Sequence, residues 1–165
     1  MDLCGPMHTQ LLSGTKYFLI LIDQFTGYTT PKFLKQKEET FAAFKEYKAW
    51  SETFHQRKIM KIVSDGEGEF VNNFFKECAR IEGLEHSISP PYTLEHNGIV
   101  ERDNRSVLEK ARCLMLQTKL TDQFWAEATS TATFLLNVAP KRDKVSPYKK
   151  WFNQKLPVLN LKTFG

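Results

Sequence analysis

The chain has 165 residues, 41% hydrophobic and 25% charged, with 13 phenylalanines and a net charge of +4, which is enough for one domain with its own core and too aromatic for disorder. The longest apolar run, Tyr17 to Ile22, is strand-sized and excludes a spanning helix; the first residues lack the basic and apolar regions of a signal peptide. The chain therefore reads as a soluble intracellular protein with no membrane partner, and its pI near 8.9 is compatible with nucleic acid without being diagnostic of it.

In chain order, Asp2 to Cys4 forms a strand if it pairs into a sheet. Lys16 to Ile22 and Gly27 to Leu34, separated by a turn at Thr26-Gly27, read as a β-hairpin whose first strand is buried. Glu38 to Phe54 switches to helical period, with Phe41, Phe44, Tyr47 or Lys48, and Trp50 or Ser51 on one side. A strand from Ile59 to Ser64 stops at Asp65. The turn Gly66-Glu67-Gly68 follows, then a helix beginning near Phe70 that buries Phe74, Phe75 and Cys78. Leu84 to Ile88 is a short strand before Pro90 and Pro91, which forbid helix and central strand.

From there Asn97 is placed to cap a helix, and Gly98 gives a flexible joint at its start. Val100, Val107, Ala111 and Leu114 recur as a core stripe widened by Leu108 and Met115, while Glu101, Arg105 and Arg112 share the next strip. Thr121 to Val138 is a second long helical pattern carrying Phe124, Trp125, Ala128, Ala132 and Leu135. Pro140 and Pro147 punctuate a tail whose Trp151 and Phe152 dock on the domain. Strands interleaved with helices and then helices alone imply an α/β or α+β layered domain, in which strand ends collect the chemistry. Cys4, Cys78 and Cys113 share no ligand spacing with one another or with His8, His55, His86 and His96, so neither a disulfide framework nor a zinc site is expected.

Asp2, Asp65 and Glu101 come from three separate elements, the way a fold assembles hard oxygen ligands for divalent metal. Two Mg²⁺ ions about 3.5–4 Å apart would suit such a triplet. Spacing alone leaves the alternative open: 19 acidic residues supply accidental triplets, and Glu101 with Arg105 is equally an i,i+4 surface pair worth about 0.3–0.5 kcal/mol.

Four ordered segments shift the weighing: D-L-C-G-P-M at 2–7, Y-F-L-I-L-I-D-Q-F-T-G-Y at 17–28, S-D-G-E-G-E-F at 64–70 and P-Y-T-L-E-H-N-G-I-V-E-R-D-N-R at 91–105. Together they resemble the integrase catalytic core of copia-type long-terminal-repeat retrotransposons. The segments at 134–140, 146–152 and 161–165 look like the stretch that follows that core, so the resemblance covers essentially the whole chain. It implies an α/β, ribonuclease-H-like mixed sheet of about five strands flanked by helices, with residues 1–120 the core and 121–165 a helical C-terminal extension packed on it.

The implied activity is DNA integration by a DDE transferase: metal-dependent trimming of the element's 3′ ends by water, then strand transfer into target DNA. By the same resemblance Asp2, Asp65 and Glu101 are the catalytic and metal-binding carboxylates, with thirty-five residues between the last two. Mg²⁺ or Mn²⁺, as two ions, is the implied cofactor. Arg105 falls where related enzymes face DNA with a basic residue, with Arg102 and Arg112 as further candidates, and Asp23 matches a position that is not a metal ligand and reads as a turn residue. Element ends and target DNA, further copies of the chain and a nuclear location complete the expectation.

The sequence also departs from the pattern. Glu67 stands where the family has glycine, and Leu94 and Glu95 stand for its proline and glutamine. A glutamate at 67 brings a charge beside Asp65 and is strained if the turn needs a positive φ. With almost no strand before Asp2 and no preceding zinc module, the chain reads as a fragment or decayed copy, whose alternative role is a catalytically inactive remnant that binds nucleic acid.

Overall fold

The computed structural model describes all residues except 12, 90–93, 142, 155, 157–163 and 165, and gives the backbone but not the side chains of 94–101. Residues 90–93 of the proline loop, and the last segment of the family resemblance apart from Phe164, lie outside the described residues.

The hydrophobic run Tyr17–Ile22 forms β2, the centre of an antiparallel sheet in the order β1-β2-β3, with β1 at Asp2–Cys4 and β3 at Thr29–Leu34. Asp23 makes the hairpin turn: its Oδ2 accepts from Thr26 N at 2.8 Å and Thr26 Oγ1 at 2.6 Å, so it serves the turn it was read to serve. A second, parallel ladder joins β4 (Lys61–Ser64) to β5 (Glu85–Ile88), with Ile62 opposite His86. Met1 N donates to Val63 O at 2.6 Å and brings the β1 edge of the first sheet against β4.

Five helices flank these strands: α1 (Thr40–His55), α2 (Asn73–Glu82), α3 (Leu94–Thr118), α4 (Trp125–Val138) and α5 (Pro147–Phe152). In α1 both readings of the core stripe hold in part, since Tyr47, Lys48 and Ser51 are all buried whereas Trp50 is exposed. Helix α2 begins later than the apolar pattern suggests. Asn72 Oδ1 accepts from Phe74 N and Phe75 N at 3.0 and 3.1 Å and so sets the start at Asn73. Phe70 is buried from the preceding turn, Phe75 and Cys78 face the core, and Phe74, expected inside, is 68% exposed.

Helix α3 begins earlier than expected. Asn97 and Gly98 lie within its first turns instead of capping it, because residues 94–96 contain no breaker and one glycine costs only about 1 kcal/mol in a helix of 25 residues.

Two apolar clusters sandwich the first sheet. Leu19, Leu21 and Leu34 pack with Phe44, Tyr47, Phe70, Phe75 and Trp151 on the α1 and α2 side. Phe18 and Ile20 pack with Val107, Ala111, Trp125, Ala128 and Ala132 on the α3 and α4 side. Alternation along β2 sends odd and even residues to opposite clusters. Helix α4 also ties to the sheet edge: Thr29 N donates to Asn137 Oδ1 at 2.9 Å and Asn137 Nδ2 returns a bond to Thr29 O at 2.7 Å. The α5 end docks through Trp151, stacked on Tyr28 with ring centroids 5.1 Å apart.

Candidate active site

Asp2 sits in β1 opposite Ile20, and alternation puts it with Cys4 on the α3 side of the sheet. There it meets Asn104, whose Nδ2 donates to Asp2 Oδ2 at 2.6 Å across 102 positions of sequence. Asn104 is only 9% exposed, and its Oδ1 is buried without a partner among the described residues. The amide cannot be turned round, because that would set oxygen against the carboxylate. One buried acceptor next to Asp2 is thus left for a donor or a cation.

Asp65 follows β4 directly, one strand away from β1. Its Oδ1 accepts from Glu67 N at 3.1 Å, and Glu67 O accepts from Phe70 N and Val71 N at 3.0 and 3.1 Å, so a chain of tight turns ends on the buried ring of Phe70. Ser64 Oγ at the strand end bonds His86 Nε2 at 2.8 Å, tying β4 to β5 beneath Asp65. Burial pushes the Asp65 carboxyl above the ordinary carboxylate range; the Glu67 amide pulls it down, and the charges of Asp2, Glu67 and Glu69 push it up again. The charge of Asp2 is thus one of those that bear on Asp65.

Glu67 is exposed, and neither it nor Gly66 or Gly68 takes a left-handed backbone conformation. The suggestion that this turn demands a positive φ is therefore incorrect: the bond from Glu67 N to Asp65 closes the turn with ordinary dihedrals. What Glu67 brings to the site is its charge. Glu69, by contrast, is nearly buried and pairs with Lys37 at 3.2 Å.

Glu101 belongs to the described helix α3 one turn before Asn104, but its side chain, like that of Val100, lies outside the described residues. The bond from Asn104 to Asp2 fixes that part of α3 beside β1. Arg102, Arg105 and Arg112 are all exposed on α3. Asn104 is the residue that the sequence reading passed over. Its signal was available: a polar residue at 104 interrupts the stripe of Val107, Leu108 and Ala111, and a buried amide on a core stripe needs a partner. Among the described residues no three His, Cys, Asp or Glu side chains cluster as a metal site.

No family model matches the chain. Over 166 positions, 99% of the chain, it is 35% identical to the retrovirus-related Pol polyprotein from transposon TNT 1-94 of Nicotiana tabacum. Over 93% of its length it is 35% identical to the corresponding polyprotein from transposon RE2 of Arabidopsis thaliana. It spans only 12% and 11% of those two relatives. Among solved structures, the HTLV-2 integrase catalytic core domain in complex with magnesium (trimeric form) superposes with a TM-score of 0.63 at 18% identity, covering 90% of this chain and 93% of that one. The chain is thus homologous, over nearly its whole length, to one short segment of copia-type Pol polyproteins, and it has the ribonuclease-H-like fold of integrase catalytic cores.

Proposed function

We propose that this segment is an integrase core that trims the 3′ ends of element DNA with water and then joins each new 3′ hydroxyl to target DNA. The observation that carries the reading is that Asp2 and Asp65 stand on neighbouring strands, with a buried amide oxygen of Asn104, unpartnered among the described residues, against Asp2. The residues fit divalent metal: the donors are hard oxygens, and the Asp65 carboxylate lies among the like charges of Asp2, Glu67 and Glu69. Asp2, Asp65 and Glu101 would hold Mg²⁺ or Mn²⁺, two ions in all. When bound, the metal polarises the scissile phosphate and activates the attacking water or hydroxyl.

The chain's own residues do the rest. Asn104 holds the Asp2 carboxylate in one rotamer, and the Glu67 amide holds that of Asp65. Arg105, with Arg102 and Arg112 along the same helix, offers exposed cations to phosphates of the element ends and the target, contacts that position DNA without reading its sequence. Association with further copies of the chain and action in the nucleus, where target DNA lies, belong to the same proposal. The trimeric form of the HTLV-2 core supports association of such folds.

Strand transfer of a labelled element end, titrated with Mn²⁺, tests the reading. Asp2→Asn, Asp65→Asn and Glu101→Gln should each abolish it, and Arg105→Ala should weaken DNA binding to all sequences alike and lower its salt slope by about one unit. A second reading, a non-catalytic remnant that binds DNA, is favoured by Glu67, whose carboxylate adds negative charge beside Asp65. It predicts salt-dependent DNA binding with no Mn²⁺-dependent product.

A further inference from the structure

Lys16 and Lys35 stand one residue beyond the last cross-strand pair of the hairpin, Tyr17 with Leu34. Tyr17 and Leu34 belong to the α1 side, while Phe18 and Phe33 pack on the α3 side. Alternation therefore continues Lys16 and Lys35 on the α3 side, the side of Cys4 and Asp2. Residues across the sheet make successive rows: Asp2 with Ile20 and Pro31, then Cys4 with Phe18 and Phe33, then the two lysines. At about 3.3 Å per residue, the lysine row lies roughly 13 Å along the sheet from the row of Asp2.

Both lysines are exposed, and among the described residues neither makes an ion pair. Like charges at neighbouring strand positions repel. Their backbone is nonetheless held: Met7 N donates to Lys16 O at 2.7 Å, Lys16 N to Leu34 O at 3.0 Å, and Lys35 N to Glu39 Oε2 at 2.7 Å. The same Glu39 oxygen accepts from Gln36 N at 3.4 Å, and Glu38 is exposed beside it. Lys37, the next cation of the chain, is by contrast paired with Glu69 at 3.2 Å. Two exposed lysines on a held backbone, without ion pairs among the described residues, present a footing for phosphate on the same side of the sheet as Asp2.

We propose that Lys16 and Lys35 form a phosphate-binding edge for duplex DNA, separate from the arginines of α3. It would hold the backbone roughly four nucleotides from the point facing Asp2, since one strand of duplex rises about 3.4 Å per phosphate. The identity of the ligand rests on the integrase reading; the place of contact does not.

The test measures binding of the full chain to fluorescent duplex DNA of two unrelated sequences, without divalent metal, between about 50 and 200 mM salt. Lys16→Gln with Lys35→Gln should lower the slope of log K against log salt by about two units on both sequences, at roughly 0.9 per phosphate contact. Lys16→Arg with Lys35→Arg should keep the wild-type slope. The thermal midpoint of the glutamine variant should equal or exceed that of wild type, because a repulsion has been removed. If wild type binds and the glutamine variant keeps its slope, the edge is overturned while the integrase reading stands. A slope that falls with arginine as well overturns it too, since charge is then not the cause. If wild type does not bind duplex DNA, both readings fall.

Discussion

The two sides of the first sheet treat charge differently. On the α1 and α2 side the buried Lys48 ammonium is met by Glu52 at 2.8 Å and by Glu82, and Phe44, Phe70 and Phe75 are fully buried. On the α3 side Asp2 faces another carboxylate, Asn104 keeps an unpartnered oxygen, and two lysines stand together without counter-ions among the described residues. Both sides carry a buried apolar cluster. The first side meets its buried lysine within the chain, whereas the second leaves charges for something from outside to balance. Imbalance of this kind marks a site more reliably than any single residue does.

The comparison breaks first at Phe75. This fully buried ring contacts Phe41, Phe44, Phe70 and His86. Phe75→Ala should cost about 3–5 kcal/mol in denaturant unfolding. A loss below about 1 kcal/mol would show that the aromatic side is not what holds the domain.

A smaller effect sharpens the other side. Glu67 is exposed, so its repulsion of an incoming phosphate about 4 Å away is nearer the aqueous value of about 1 kcal/mol than the buried one, or roughly fivefold in rate. Because its backbone is unstrained, Glu67→Gln and Glu67→Gly should raise Mn²⁺-dependent strand transfer by similar factors. Native glutamate as the fastest of the three would contradict the assignment of Asp65 to the centre.

The smallest effect is in stability. Burial, opposed by the Glu67 amide and helped by Asp2, raises the Asp65 pKa in the folded state above its unfolded value of 3.8. A raised carboxyl favours folding while it is protonated, and that advantage is lost as pH rises from the unfolded value through the folded one. Without metal, Asp65→Asn should therefore melt above wild type at neutral pH, and the gap should close as pH falls toward about 4. Thermal melts across that range check it; an asparagine variant that melts lower at pH 7 would mean that Asp65 is satisfied as it stands.

Much of the fold was legible in the sequence because alternation in Tyr17 to Leu34 and the helical period after Glu38 are local signals. What was misread depended on a competing local bond or a distant partner. The Asn72 side chain set the register of α2 and turned Phe74 outward, against an apolar pattern that starts at Phe70. The start of α3 was misjudged because Asn97 and Gly98 resemble a cap, and nothing nearby shows that the helix runs through them. Asp2 and Asp65 were legible as candidates only through the ordered motifs. Their neighbourhood, and the part played by Asn104, depends on contacts spanning 62 and 102 positions, which no window of sequence displays.

The bond pair between Asn137 and Thr29 bears on how copies of this domain can associate. β3 is the outer strand of its sheet, and Asp23 N bonding Tyr28 O places the even-numbered residues toward β2 and Thr29, Pro31 and Phe33 toward the outside. Thr29 has both its backbone groups taken by the Asn137 amide, which imitates the peptide of a further strand, and Pro31 has no N–H to offer. Only Phe33 retains a free outward donor, too little for another chain to add on as a strand. The hairpin is thus closed to templated growth along this edge: a second copy cannot lengthen the first sheet at β3, and the domain is protected there from the strand addition that seeds fibrils.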